Sequence, residues 1–298
     1  MAITRTIYTQ GTLIIDSGAT TNWAVLSGVQ NASYSLNTPR ENVSQFSAKG
    51  LIDKVQVAPT EASITCSFII PNAISANLGS HITPANLNGL MQNAQLTDTL
   101  PNMIVTAGGL GQISGAVLSS ISVNAAVGDL PTMELTFDGV PLADPDAVDT
   151  DSEAAGTKLS PVPVATAFTV VTPAFVSGFA NGSKVNLTAG DSSTDSIQTF
   201  TFGWEMPVER IQRLGENVNA TQPFGNPPGT ATISLEGTNI PNIALLSGIA
   251  IGPYIFAIGG RSDVVSREHS MAVGDVSATF SVSIEGTADA VTCTTTAA

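Results

Sequence analysis

The chain has 298 residues, of which 43% are hydrophobic and only 11% charged, with a formal net charge of −14. That length suits one large domain or two of ordinary size, and the apolar fraction is enough for a buried core. Ten Lys and Arg stand against 24 Asp and Glu, scattered singly from Arg5 to Arg267, which leaves no basic stripe for phosphates and excludes tight nucleic-acid binding. The polar surface has to be made of Ser, Thr, Asn and Gln, which suit strands and tight turns better than solvated helices. The opening MAITRTIYTQ carries no apolar signal-peptide core, and synthesis inside a cell is the expectation.

Along the first half, Val29 to Asn37 reads as a strand, followed by a polar excursion from Thr38 to Thr60. Ala62, Ile64, Cys66 and Phe68 then alternate as one face of a half-buried strand, which makes Cys66 a small core hydrophobe. Pro84 to Leu96 is a candidate helix. The glycine-rich Gly108 to Gly115 reads as a turn between strands. Ile121, Val123 and Ala125, then Met133, Leu135 and Phe137, mark two more strands joined by the turn Val127-Gly128-Asp129. Residues 141–165 are rich in Pro, Ala and Asp and lose apolar periodicity, as a linker does. Its acids, Asp144, Asp146, Asp149, Asp151 and Glu153, lack the spacing and turn glycine of a calcium loop.

In the second half Phe200, Phe202 and Trp204 alternate with Thr199, Thr201 and Gly203. A second excursion spans Met206 to Thr230. Strands follow at Ala231, Ile233 and Leu235 and at Phe280, Val282 and Ile284, with a helix expected near Ile240 to Ile249. The uncharged run Ile243 to Gly260 is long enough to test for membrane crossing. Its internal Gly248, Gly252 and Pro253, without flanking aromatic belts or clustered basic residues, favour a short buried helix followed by a strand. Cys293 lies in a Thr-rich tail, and a disulfide to Cys66 is not expected.

The two halves resemble each other. Val29 to Ser47 aligns without a gap on Ile197 to Gly215: Gln30 falls on Gln198, Tyr34 on Phe202, Leu36 on Trp204, Pro39 on Pro207 and Glu41 on Glu209. With one extra residue, Ala62 and Ile64 meet Ala231 and Ile233. Ala125 to Gly139 matches Met271 to Gly286, each with Val-Gly-Asp and a closing acidic residue and glycine. Three blocks in one order imply a tandem duplication. The expectation is a mainly β chain of two sandwich or barrel-forming units, 1–140 and 166–298, each with one short helix.

Chemistry is hard to find. His81 and His269 have no ligand-spaced partners, no nucleophile elbow occurs, and Gly108 to Gly115 fits neither a P-loop nor a dinucleotide fingerprint. The acids Glu41 and Glu209 recur in both copies, which favours a repeated structural contact over a catalytic site. Asn-x-Ser/Thr triplets at Asn31, Asn42, Asn181, Asn186 and Asn219 are accidents of composition. No enzyme activity, cofactor or metal is expected.

Two alternating strands, a polar excursion, further strands, one helix and a terminal strand pair with a V-G-D-[LV] turn resemble phage tail tube proteins. That resemblance implies stacked rings whose inner sheets join into a barrel around a DNA channel. A duplicated subunit would build a pseudo-sixfold ring from three chains, and fusion would raise the effective concentration of neighbours. It implies inter-subunit or inter-ring contacts by the excursions, at Arg40, Glu41, Lys49 and Asp53 in the first and Glu209, Arg210, Arg213 and Glu216 in the second. The implied partners are further copies of the chain, a tape-measure protein and transient DNA in the lumen, and tail terminator and distal tail proteins. No membrane insertion is expected. The implied place is the virion tail, assembled in the host cytoplasm. The alternatives are another virion component (decoration, baseplate hub or fibre protein) and a carbohydrate-binding β-sandwich pair.

Overall fold

The computed structural model describes residues 13–16, 23–26, 29–44, 51–57, 60–70, 82–94, 104–107, 111–143, 185–187, 197–207, 209–210, 224–225, 229–237, 249–258, 263–271 and 279–295. Among them the fold is mainly β, with a single α-helix. The first half supplies β1 (Leu13–Asp16), β2 (Trp23–Leu26), β3 (Val29–Asn37), β4 (Arg40–Ser44), β5 (Leu51–Gln56) and β6 (Glu61–Ile69). Helix α1 (Pro84–Ala94), β7 (Ile104–Ala107), β8 (Gly111–Ala126) and β9 (Thr132–Ala143) complete it. The second half begins with β10 (Val185–Leu187), β11 (Ile197–Glu205), β12 (Glu209–Arg210), β13 (Phe224–Gly225) and β14 (Thr230–Gly237). It continues with β15 (Ile249–Ile251), β16 (Tyr254–Ile258), β17 (Asp263–Ser270), β18 (Thr279–Thr287) and, after one 3-10 turn, β19 (Val291–Thr295).

Eleven of these strands form one sheet, and all their pairings are antiparallel. Its main run is β3-β6-β9-β8 followed by β11-β14-β18-β17, so strands of both halves lie in one continuous layer. The two groups of four stand in the same order by the sequence alignment. Their registers also coincide: Ala62 faces Gly139 in the first group and Ala231 faces Gly286 in the second. Irregularities fall at matching places, between Val29 and Asn31 and between Ile197 and Thr199. A second pair falls between Leu118 and Ser120 and between Val264 and Ser266. A bulge twists its strand and is set by local sequence and packing, so matched bulges are a stringent coincidence.

The strands alternate as their sequences require. Phe200, Phe202, Trp204, Ala231, Ile233 and Leu235 are buried, as are Ile121, Val123, Met133, Leu135 and Phe137 on the first-half strands. Covering this apolar side is a smaller sheet of order β10-β15-β16-β19, together with α1. Phe202 stacks on Phe256 of β16 with ring centroids 4.4 Å apart, and the Trp204 indole N–H donates to the Ala288 carbonyl at 3.1 Å. At the other end of β8, Gln112 to Ser114 stay paired with β9 and take β7 as their other neighbour, and β7 continues through β1 to β2.

Helix α1 begins where the sequence supplies a cap. The Thr83 hydroxyl accepts from the Asn86 amide at 3.1 Å, and Pro84 takes the first position, where no amide is needed. Leu87 and Met91, one turn apart, are buried. The helix belongs to the first half but packs on β19 of the second. The Cys293 amide donates to the Asn88 side-chain oxygen at 3.0 Å, and the Tyr254 hydroxyl donates to the Ile82 carbonyl at 2.6 Å. The Val-Gly-Asp turn of the first half has Gly128 at φ +93°, with the Asp129 amide donating to the Ala126 carbonyl.

Several local expectations change. Strand β9 runs to Ala143, so residues 141–143 belong to a strand and not to the linker; Pro141 faces Ile113 at the strand's far end. Gly111 to Gly115 start β8, which leaves only 108–110 between paired strands. Ile249 opens β15 rather than ending a helix, and residues 240–248 lie outside the described set, as does the rest of the linker. The apolar run ends in the β15–β16 hairpin, turning at Gly252 and Pro253. No helix among the described residues is long and apolar enough to cross a membrane. Cys293, in the Thr-rich tail, is a buried strand residue, because β19 is clamped between β16 and α1.

Candidate assembly surface

The side of the main sheet turned away from the core is uniform in chemistry. Period-2 alternation puts Ser33 and Ser35, Ser63 and Thr65, Ser120 and Ser122, Thr199 and Thr201, and Ser234 and Ser283 on it. Hydroxyls bridge neighbouring strands, with Ser35 to Ser63 at 2.6 Å and Thr65 to Thr136 at 3.2 Å. The charged residues of this face are Glu61, Glu134, Asp138, Glu205, Glu236, Glu268 and Glu285, with no Lys, Arg or His among the described side chains. A shallow depression of about 250 Å³ lies there, lined by Thr199, Thr201, Ser234, Leu235, Glu236, Ser281 and Ser283. One carboxylate among hydroxyls offers neither a paired acid and base nor an activated nucleophile.

The two four-strand groups meet where β8 pairs with β11. There Ala125 faces Phe200, Val123 faces Phe202 and Ile121 faces Trp204. Both ends of this seam are tied by extra backbone bonds: the Val127 amide donates to the Gln198 carbonyl at 2.9 Å, and the Met206 amide to the Ser119 carbonyl at 2.8 Å. Ser119 is the bulged residue of β8, and its carbonyl is free to reach β11 because the bulge takes it out of the β9 ladder.

Of the contact residues expected from the sequence, Arg40, Glu41 and Asp53 lie exposed on the hairpin formed by β4 and β5. Register pairs Glu41 with Val55 and Asp53 with Val43, which puts both acids and both valines on one hairpin face. Arg40 and Lys54 fall on the other. Val43, Val55 and Val57 are more than 40% exposed, a hydrophobic cost that a free loop would not usually carry. The hairpin base is fastened by the Val57 amide to the Pro39 carbonyl and by Gln56 Nε2 to Thr60 Oγ1. Glu209 and Arg210 form β12, paired with β13, so the second excursion also returns as a hairpin. Lys49, Arg213 and Glu216 lie outside the described residues.

Neither thiol is poised for chemistry. Burial pushes the Cys66 thiol up to about 12 and does the same to Cys293, and the Cys66 thiol donates to the Leu135 carbonyl. Both are free. The Tyr254 hydroxyl is likewise raised by burial. Among the described residues no group of three or more His, Cys, Asp and Glu side chains is placed to hold a metal ion.

The seam and the two outermost strands were not singled out by sequence reasoning. The only available signal was the gapless match of Gln30 to Gln198 and its flanking residues, which says that β3 and β11 are alike but not what β11 pairs with. No protein-family model matches the chain, and no curated protein does.

Proposed function

We propose that this chain is the structural subunit of a phage tail tube, produced by tandem duplication of one β-unit and assembling as stacked rings around a DNA channel. The observation that carries the reading is the recurrence of one strand order, head to tail, within a single continuous sheet. A sheet extended by repeating the same step either closes on itself or leaves edges that aggregate, and closure removes the edges. Three chains of two units each make a pseudo-sixfold ring. Ring-on-ring stacking is a heterologous contact that grows a filament, and the exposed valines of the β4–β5 hairpin suit such a contact. The Ser, Thr and acid face turns to the lumen, where its negative charge repels phosphates and lets DNA pass without binding.

The reading makes the chain a virion tail protein assembled in the host cytoplasm, without enzymatic activity. Its partners are its own copies, a tape-measure protein and transient DNA inside, and terminator and distal tail proteins at the ends. The carbohydrate-binding alternative is disfavoured, because Trp204 is wholly buried and offers no sugar platform. Negative-stain microscopy of the purified protein tests the proposal. Long hollow tubes of stacked rings, with three chains per ring, are expected; discrete particles, or capsid-bound knobs in virions, reject it. A ring of six whole chains leaves the tube in place but removes the pseudo-sixfold explanation of the repeat.

A further inference from the structure

The main run of the sheet ends in β3 on one side and β17 on the other. Both are the aligned counterparts of strands that meet inside the chain: β3 corresponds to β11, and β17 to the 120–126 part of β8. Among the described residues, β3 pairs only with β6 and β17 only with β18. The sequence of β3, VQNASYSLN, contains no proline and no charge, so it lacks the usual devices that stop an edge strand from pairing.

Burial shows what the missing neighbour would do. Leu36 is 41% exposed, whereas Trp204, at the aligned place in β11 with strands on both sides, is 1% exposed. Met271, just beyond β17, is 72% exposed. The internal seam is thus a finished copy of a junction that the two outer edges leave half made.

Resting on the tube reading, we infer that β17 of one chain pairs antiparallel with β3 of the next copy, in the register of the β8–β11 seam. Transferring that register through the aligned residues puts Ser33 opposite Ser270 of the partner subunit and Tyr34 opposite the partner's His269. Ser35 then stands opposite the partner's Glu268, and Leu36 opposite the partner's Arg267. The bulge between Val264 and Ser266 repeats that at Ser119, so the Val265 carbonyl of the partner subunit accepts from the Thr38 amide as Ser119 accepts from Met206. The two junctions differ in composition. Ile121 and Val123 of the internal seam are replaced by Arg267 and His269, and Trp204 and Phe202 by Leu36 and Tyr34. The chain-to-chain seam is therefore the less apolar one, and rings part there before the sheet parts within a chain.

The test is cross-linking in assembled tubes of a full-length chain carrying Ser33→Cys and Ser270→Cys. Facing residues of an antiparallel pair lie within disulfide range, and those two places out of step do not. The buried Cys66 and Cys293 stay silent. Oxidation is expected to give a ladder ending at covalent trimers, at least ten times more efficiently than in a Ser35→Cys, Ser270→Cys control. Tubes that cross-link better in the control, or not at all, overturn the register and leave the tube reading standing. Absence of tubes together with absence of cross-links overturns both. Hydrogen exchange on the wild-type chain decides independently of the variants. Amides of Ala32, Tyr34 and Leu36, which face the new partner in the transferred register, become protected at least tenfold on assembly if the pairing is right, and unchanged exchange there refutes it.

Discussion

Trp204 and Leu36 occupy matching positions in the two halves, yet the structure assigns them opposite energetic roles. Trp204 is 1% exposed and its N–H is spent on the Ala288 carbonyl. Trp204→Ala removes a large buried ring and leaves a cavity beside the 3-10 turn, which costs about 3–5 kcal/mol. Against a total stability of about 5–15 kcal/mol, that is a large share. Trp204→Phe keeps most of the ring and isolates the hydrogen bond, at about 1 kcal/mol. Leu36 is already 41% exposed in the single chain. Full burial of a leucine is worth about 2 kcal/mol, so Leu36→Ala forfeits about 1 kcal/mol in the unassembled protein and creates no closed cavity. The remaining contact, about 1 kcal/mol, is realised only when a partner strand covers it. That corresponds to about a fivefold rise in the concentration needed for assembly. Urea unfolding followed by circular dichroism, at concentrations below assembly, gives the first set of numbers; sedimentation gives the last. The reasoning fails if Leu36→Ala unfolds the lone chain as readily as Trp204→Ala, or if Trp204→Ala is within 0.5 kcal/mol, roughly the noise for a surface change, of wild type.

Three other outcomes are expected. Cys66 and Cys293 have thiols raised from 9.0 to about 12. The unfolded chain therefore ionises first, and stability is full below about pH 9 and falls as pH rises toward 12, by about 1.4 kcal/mol per pH unit for each thiol; a Cys66→Ala, Cys293→Ala chain should show a flatter alkaline limb in denaturant titrations. Gly89→Ala, in α1 with open space around its Cβ direction, should stabilise by about 0.5–1 kcal/mol. Gly139→Ala, whose Cβ would stand 2.8 Å from the Ser114 carbonyl oxygen, should destabilise by about 1–3 kcal/mol, and thermal melts of the two variants should move in opposite directions. Reversing Glu134, Glu236 and Glu285 to Lys should turn a protein that does not retain DNA on a filter at low salt into one that does, with retention lost as salt rises.

Much of the secondary structure was legible because its causes are local. Alternation at 200, 202 and 204 and at 133, 135 and 137 fixes which side chains enter the core, since a strand has period 2 whatever it pairs with. The helix expected from Pro84 and the turn expected at Val-Gly-Asp are held by a Thr83 cap and a positive φ, which act within a few residues. Internal similarity likewise announced a repeated order of elements before any neighbour was known. The contact residues were less legible. Arg40, Glu41 and Asp53 do share one hairpin, but the sequence could not say that the acids and the exposed valines occupy one of its faces, because that depends on the β4–β5 register.

The amino-acid sequence by itself determined that this chain is mainly β, which faces of its strands are apolar, and that its two halves carry the same pattern. Only the tertiary structure decided that β8 stands between β9 and β11, so that the halves share one sheet, and that α1 of the first half clamps β19 of the second. The physical reason is range. Periodicity, caps and turns are settled by neighbours along the chain, whereas a strand's partner is chosen among many edges with similar backbone hydrogen bonds. That choice falls to the packing of Trp204, Phe202 and Phe256 and to bulges such as that at Ser119, which bring together residues far apart in the sequence.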